Sequence, residues 1–235
     1  MLRSLAAISL VVCLGAQAAR AQDLEAICRQ VGHPPVGAWS EFRIDGGENN
    51  GATVRMSIVG SESRGGTRYL WMEVAAHGFS MGREQGGPTA PLVINKMLVA
   101  GVGPDMGTPQ AVIMKFGDAP AMEMPAGRTR ATETPGTTAL ARCRQGKAVG
   151  WESVTVPAGT FRALHVRDAH NRGDLWVVPS LPFAVVKETD LGGGANDMVL
   201  IGHGRGATTR IREKPQPWNP QLFMQMMMRP GGRGH

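Results

Sequence analysis

The sequence predicts a mainly β protein, built as a curved antiparallel sheet or half-barrel with one or two short helices. Three observations carry that expectation. Short β-branched and apolar segments recur along the chain, bounded by clusters of Gly, Pro, Asn and Asp. In the region 151–189 these segments are three to six residues apart, which suits antiparallel hairpins, whereas a parallel crossover needs a dozen or more residues. Few segments carry the three-and-four spacing of an amphipathic helix.

The chain opens on a targeting segment. Arg3 supplies a positive charge, Leu5 to Ala16 an apolar run, and Ala19-Arg20-Ala21 the small residues read by a signal peptidase. The run is shorter than the roughly 20 residues needed to span a bilayer. Residues 1–21 therefore read as a cleavable signal peptide, 22–214 as a single β-rich domain, and 215–235 as a disordered, basic, Met-rich tail. No other stretch is apolar enough to cross a membrane as a helix, so the expected location is the periplasm.

Asp23 to Val31 places Leu24, Ile27 and Val31 on one face and ends at Gly32, which predicts a short helix. Trp39 to Ile44 and Ala52 to Val59 read as paired strands, the second alternating Val54, Met56, Ile58 with Thr53, Arg55, Ser57. Gly65-Gly66 turns the chain into a third strand, Arg68 to Ala76, with Tyr69, Trp71 and Glu73 on one face and Leu70, Met72 and Val74 on the other. Residues 77–91 are rich in Gly and Pro and read as a surface loop, or as a flap over a cavity. Leu92 to Val102 suits a strand better than a buried helix, and Ala111 to Phe116 is another strand. The segment 117–147 crosses the surface to the region 151–189.

That region is the densest. Val154-Thr155-Val156 and Phe161 to Val166 flank the turn Pro157-Ala158-Gly159-Thr160, and Leu175 to Val178 follows the turn Asn171 to Asp174. Phe183 to Val186 follows Pro179 to Pro182. Met198 to Gly202 and Ala207 to Ile211 complete the strands. Beyond Lys214 the chain is rich in Pro, Gln and Met, with at most a brief helical turn near Leu222 to Met228.

Charge and cysteines narrow the function. The formal net charge of +6 includes Arg3 and Arg20 of the signal and six basic residues from Arg205 onward against Glu213 alone. The body from 22 to 204 is left with 17 basic and 18 acidic residues. A nucleic-acid binder needs a basic folded body, so nucleic acid is not an expected partner. Without the signal, Cys28 and Cys143 remain as an even pair. A bridge between them would close a loop worth about 4–5 kcal/mol in chain entropy; two buried thiols are the other reading.

No spacing points to catalysis. His165, Asp168, His170 and His203 do not converge on a local metal site, because strand alternation sends His165 and Asp168 to opposite faces. Gly202-His203-Gly204-Arg205-Gly206 lacks the strand–loop–helix context of a phosphate loop, and Gly-x-Ser-x-Gly is missing. Met224, Met226, Met227 and Met228 with His235 have thioether and imidazole chemistry suited to Cu(I), though a low-complexity tail accounts for them. Neither an enzyme nor a cofactor or metal is expected.

Large apolar groups remain on strands whose two faces are both apolar. Either a second layer covers them, or the sheet curves around a groove open to a ligand. The candidate ligand-binding residues are Trp71, Phe161, Trp176 and Phe183.

Trp151 to Phe161, Leu175-Trp176-Val177-Val178 and Pro182 to Lys187 together resemble exported bacterial proteins similar to the LolA/LolB-like group. The resemblance implies a curved half-barrel over an apolar cavity, of a kind that carries lipidated proteins and related ligands. It assigns no functional residue. The expected function is non-enzymatic binding of an apolar small molecule or lipid, and the alternative is a structural or interaction protein of a cell-envelope complex.

Overall fold

The computed structural model describes residues 26–28, 34–79, 90, 92–102, 106–125, 142–169, 173–189 and 196–228, with side chains up to 224. The signal peptide, most of the 77–91 loop, His170 and the last seven residues lie outside the described residues. Of the helix expected over Asp23–Val31, residues 26–28 are described, and they are helical.

Eleven strands form one open antiparallel sheet. They are β1 (Trp39–Asp45), β2 (Thr53–Arg64), β3 (Thr67–His77), β4 (Val93–Val99), β5 (Ala111–Phe116), β6 (Met122–Met124), β7 (Lys147–Val156), β8 (Gly159–Arg167), β9 (Asp174–Val177), β10 (Val185–Glu188) and β11 (Asp197–Gly204). Their order is β6-β5-β4-β3-β2-β1-β11-β10-β9-β8-β7. Two meanders thus run outward in opposite directions from the central pair β1–β11.

Local chemistry sets the register. On β1, Ser40, Phe42 and Ile44 are buried while Trp39, Glu41, Arg43 and Asp45 are half-exposed, and the same alternation begins β2. Gly65 and Gly66 lie at φ of 57° and 80°, the pair of left-handed residues a two-residue hairpin requires, and they join β2 to β3 with Arg64 opposite Thr67.

The sheet is strongly curved. In a flat sheet β7 would lie about 19 Å from β11, four strand spacings away. Instead Cα atoms of β7 come within 8 Å of both β10 and β11, and the Ala158 amide in the β7–β8 turn donates to the Leu200 carbonyl at 3.2 Å. Curling brings the inner faces of both meanders into one cluster, in which Phe42, Met56, Met72 and Met97 meet Leu175, Val177, Met198 and Leu200. Met72 and Met97 sit directly opposite each other on β3 and β4, and such flexible side chains suit the irregular space inside a curved sheet. The inner face is therefore filled with side chains. Helical turns at 26–28 and 142–145 join this core through a disulfide between Cys28 and Cys143, with Cα atoms 5.8 Å apart.

The other face of the first meander is covered by chain rather than by a helix. Ala207 to Ile211, expected as a last strand, is not one: every strand it crosses is already paired on both sides, so no edge is free to receive it. The chain from 205 to 216 lies instead as a strap across the sheet. Its start is fixed at Gly37, which holds φ +87° and lets Gly206 approach to where a Cβ would sit at 3.2 Å. Glu73, only 2% exposed, accepts from the Thr209 hydroxyl at 2.7 Å and the Arg210 amide at 3.1 Å. Ile211 then packs with Ala75, Ile94, Ile113 and Ala121, and Gln216 bridges to Met122 on β6. Lys115 donates to Glu213 and holds that carboxyl at about 2.

Replacing Glu73 by Ala is expected to cost about 1–3 kcal/mol, because the Thr209 hydroxyl and the Arg210 amide lose their acceptor beneath the strap. A shifted urea midpoint together with faster amide exchange at 209–211 would register it; a loss of stability with unchanged exchange there would contradict it.

Beyond Lys214 the helical turn expected near Leu222 to Met228 is present, as part of a longer helix. Pro220–Met228 is a helix, capped by Asn219, whose Oδ1 accepts from the amides of Gln221 and Leu222 at 3.0 and 3.1 Å. Phe223 packs on Trp218 and on Phe116 of β5, with ring centroids 4.9 and 5.8 Å apart, so apolar contact holds this segment to the domain. No described helix is long and apolar enough to cross a membrane.

Candidate functional site

The run Pro179-Ser180-Leu181-Pro182-Phe183 leads into the two non-glycine residues that hold positive φ among the described residues. Phe183 and Ala184 both hold positive φ, 56° and 52°, which costs an L-residue roughly 1–2 kcal/mol each. The strand expected from Phe183 accordingly starts only at Val185. Surrounding bonds impose the geometry: Ala184 donates to Leu181, Val178 to Ala184, and Val185 to Phe183 across a three-residue turn. From β1, the buried Ser40 hydroxyl donates to the Pro182 carbonyl at 2.6 Å.

This strained turn walls a cleft of about 250 Å³. Pro34, Pro35 and Ala38 form one side, Pro179 to Phe183 the other, and His203, Gly204 and Arg205 the rim. Four prolines make the walls stiff. Among the described lining residues there is no carboxylate, and Arg205 puts a positive charge on the rim. Strained non-glycine backbone persists where surrounding structure over-determines it, and such positions concentrate at binding sites.

The four residues singled out in the sequence do not share one cavity. Phe183 lines this cleft and is itself 4% exposed. Phe161 stands edge-on to His203 of the rim, with centroids 5.9 Å apart. Trp71 lines a second cleft, of about 360 Å³, with Arg64, Gln110, Ile113, Glu123 and Met124. There its indole N–H donates to Glu62 at 3.0 Å and Lys96 lies 5.1 Å from its ring centroid. Trp176 lines neither cleft. It stacks on His165 at 4.7 Å, donates to Glu152, and is approached by Lys187 at 5.2 Å.

The chain matches no family model and no curated protein sequence. Among solved structures it is similar to a candidate lipoprotein from Parabacteroides distasonis, at 10% identity over 74% of this chain and 98% of that one, with a TM-score of 0.34. It is also similar to a candidate exported protein with a YmcC-like fold from Bacteroides fragilis, at 9% identity over 73% and 97%, with a TM-score of 0.31. Scores this low assign neither fold nor function.

A buried polar cluster lies apart from both clefts. Arg142 donates through Nε to Asp168 at 3.2 Å and through Nη1 to Glu188, and all three side chains are less than 10% exposed. Burial pushes the Glu188 carboxyl up to about 7; Arg142 pulls it down and the charge of Asp168 adds to the rise. No local spacing announces this cluster, since its members lie 26 and 46 residues from Arg142. Asp168 and His165, once weighed as metal ligands, are thereby separated: Asp168 serves Arg142, while His165 sits between Glu152 and Asp174 at 3.4 and 3.3 Å. Among the described residues no group of three His, Cys, Asp or Glu is placed to hold a metal ion.

Proposed function

We propose that this is an exported protein of the periplasm that binds an apolar small molecule or lipid without catalysing a reaction. The observation that carries the reading is the cleft at Phe183: walls stiffened by proline in which Leu181 and Phe183 stand beside polar groups, a strained turn, and Arg205 on the rim. The leader-like sequence over 1–21 and the disulfide in the core support export. The curved, unclosed sheet is compatible with the LolA/LolB-like resemblance, with the ligand at the margin of the packed inner face. Of the sequence-derived candidates, Phe183 lines this site, Phe161 touches it only through His203, and Trp71 belongs to the second cleft.

Replacing Leu181 by Arg is expected to fill the cleft and reduce binding at least tenfold, since it replaces apolar wall by a charge. Displacement of a fluorescent fatty-acid probe measures it, beside native mass spectrometry of protein taken from cells. A wild-type protein that arrives empty and binds no probe would overturn the reading; equal binding by L181R would move it to another surface. The alternative, a structural or interaction protein of the envelope, is favoured by a different feature, the free edge of β7.

A further inference from the structure

The sheet ends on β7, and one side of that strand is unpaired. Over Lys147–Val156 it pairs with β8, and among the described residues nothing pairs with its other edge. The strand is ten residues long, and Val149 and Trp151 on it are 51% and 44% exposed. Such an edge is a template for another strand unless it is guarded by charge, proline or a bulge. Here the guards gather at one end: Lys147, and a bulge between Ala148 and Gly150. From Trp151 to Val156 there is neither proline nor bulge, and Glu152 is the one charge.

The direction of the free backbone groups follows from the hairpin. Val156 and Gly159 flank a two-residue turn, so they, Val154–Phe161 and Glu152–Ala163 exchange bonds within the ladder. The intervening pairs are the close, non-bonded type, as the 2.9 Å approach of the Thr155 and Thr160 hydroxyls reflects. Trp151, Ser153 and Thr155 therefore aim their N–H and C=O groups at the empty side.

We propose that this edge binds the same edge of a second copy of the chain, antiparallel, about a two-fold axis at Ser153. The sequence is self-complementary in that register. Ser153 faces Ser153 of the second copy, and Trp151 faces Thr155 twice over, giving aromatic–β-branched pairs of a favourable kind. Glu152 faces Val154, so like charges are not opposed. A register centred on Glu152 would put two carboxylates face to face, and one centred on Trp151 would run into the bulge. The product is a continuous sheet through both copies, and it does not depend on the ligand cleft.

Light scattering on the purified protein tests this, with two variants. Wild type is expected to run as a dimer at micromolar concentration. Ser153→Pro removes an N–H that points away from β8, so it is expected to give a folded monomer with an unchanged far-UV circular dichroism spectrum. Ser153→Cys is expected to cross-link the dimer under oxidising conditions, because paired residues across antiparallel strands lie within disulfide range. A wild-type monomer overturns the proposal, even if β7 accepts a foreign strand. So does a dimer that survives S153P, or one in which S153C fails to cross-link.

Discussion

Replacing Cys28 and Cys143 together by Ala is expected to lower the unfolding free energy by about 2–5 kcal/mol. The two residues are 115 positions apart, so the bridge constrains about half the unfolded chain, including the whole first meander and the crossover to β7. It also fastens two short helical turns to the core, which matters because a single turn is costly to nucleate alone. Both cysteines are buried, at 0% and 1% exposure, so reductant acts on the native protein slowly and acts fully once it unfolds. The measurement is urea unfolding with and without reductant. Wild type should lose midpoint on reduction, the double variant should not respond, and its denaturant slope should be steeper because the uncrosslinked chain exposes more surface. Equal midpoints for oxidised and reduced wild type would contradict the prediction.

Much of the fold was legible because it is local. Ala111–Phe116 matches the expected strand residue for residue, and β1 runs one residue longer than expected. The turns at Gly65-Gly66 and Pro157-Ala158 fall where their chemistry puts them. β2 was read short because Ser61, Glu62 and Ser63 are polar; the β2–β3 hairpin there extends past the core, and its ends are exposed. Phe183 was read as strand because it opens an apolar run, and nothing in a phenylalanine announces a positive φ. The strap departs from its strand-like sequence for a related reason. Ala207 to Ile211 carries a strand-like sequence, but what Thr209 pairs with is the Glu73 carboxylate 136 residues away, not a neighbouring strand. The Asn219-Pro220 cap was a readable helix start within a stretch whose composition argued for disorder. The aromatic candidates were sound as large apolar groups, yet strand alternation alone does not say which cleft each reaches. The edge at β7 was legible only as a strand, since a free side depends on the order of the whole sheet.

The second large effect is expected at Arg142. Replacing it by Met removes the guanidinium that both buried carboxylates, Asp168 and Glu188, accept from, a loss of about 3–5 kcal/mol for a broken buried pair. The same cluster sets a pH dependence. Glu188 titrates near 7 in the folded protein against an ordinary value of 4.5, so between these limits the folded state holds the proton more often than the unfolded chain does. Its contribution to stability is complete below about pH 4.5 and is lost as pH rises through 7, by up to about 3 kcal/mol. Glu188→Gln keeps the shape, stays neutral at every pH, and should flatten that part of the profile. Because the charge of Asp168 helps to raise the Glu188 carboxyl, Asp168→Asn should instead bring that carboxyl down, so that the fall is smaller and ends at lower pH. Unfolding free energies of wild type, R142M, E188Q and D168N from pH 4 to 8 decide the matter. A wild-type profile that rises with pH through this window, or one that E188Q leaves unchanged, would mean that Arg142 rather than burial governs Glu188.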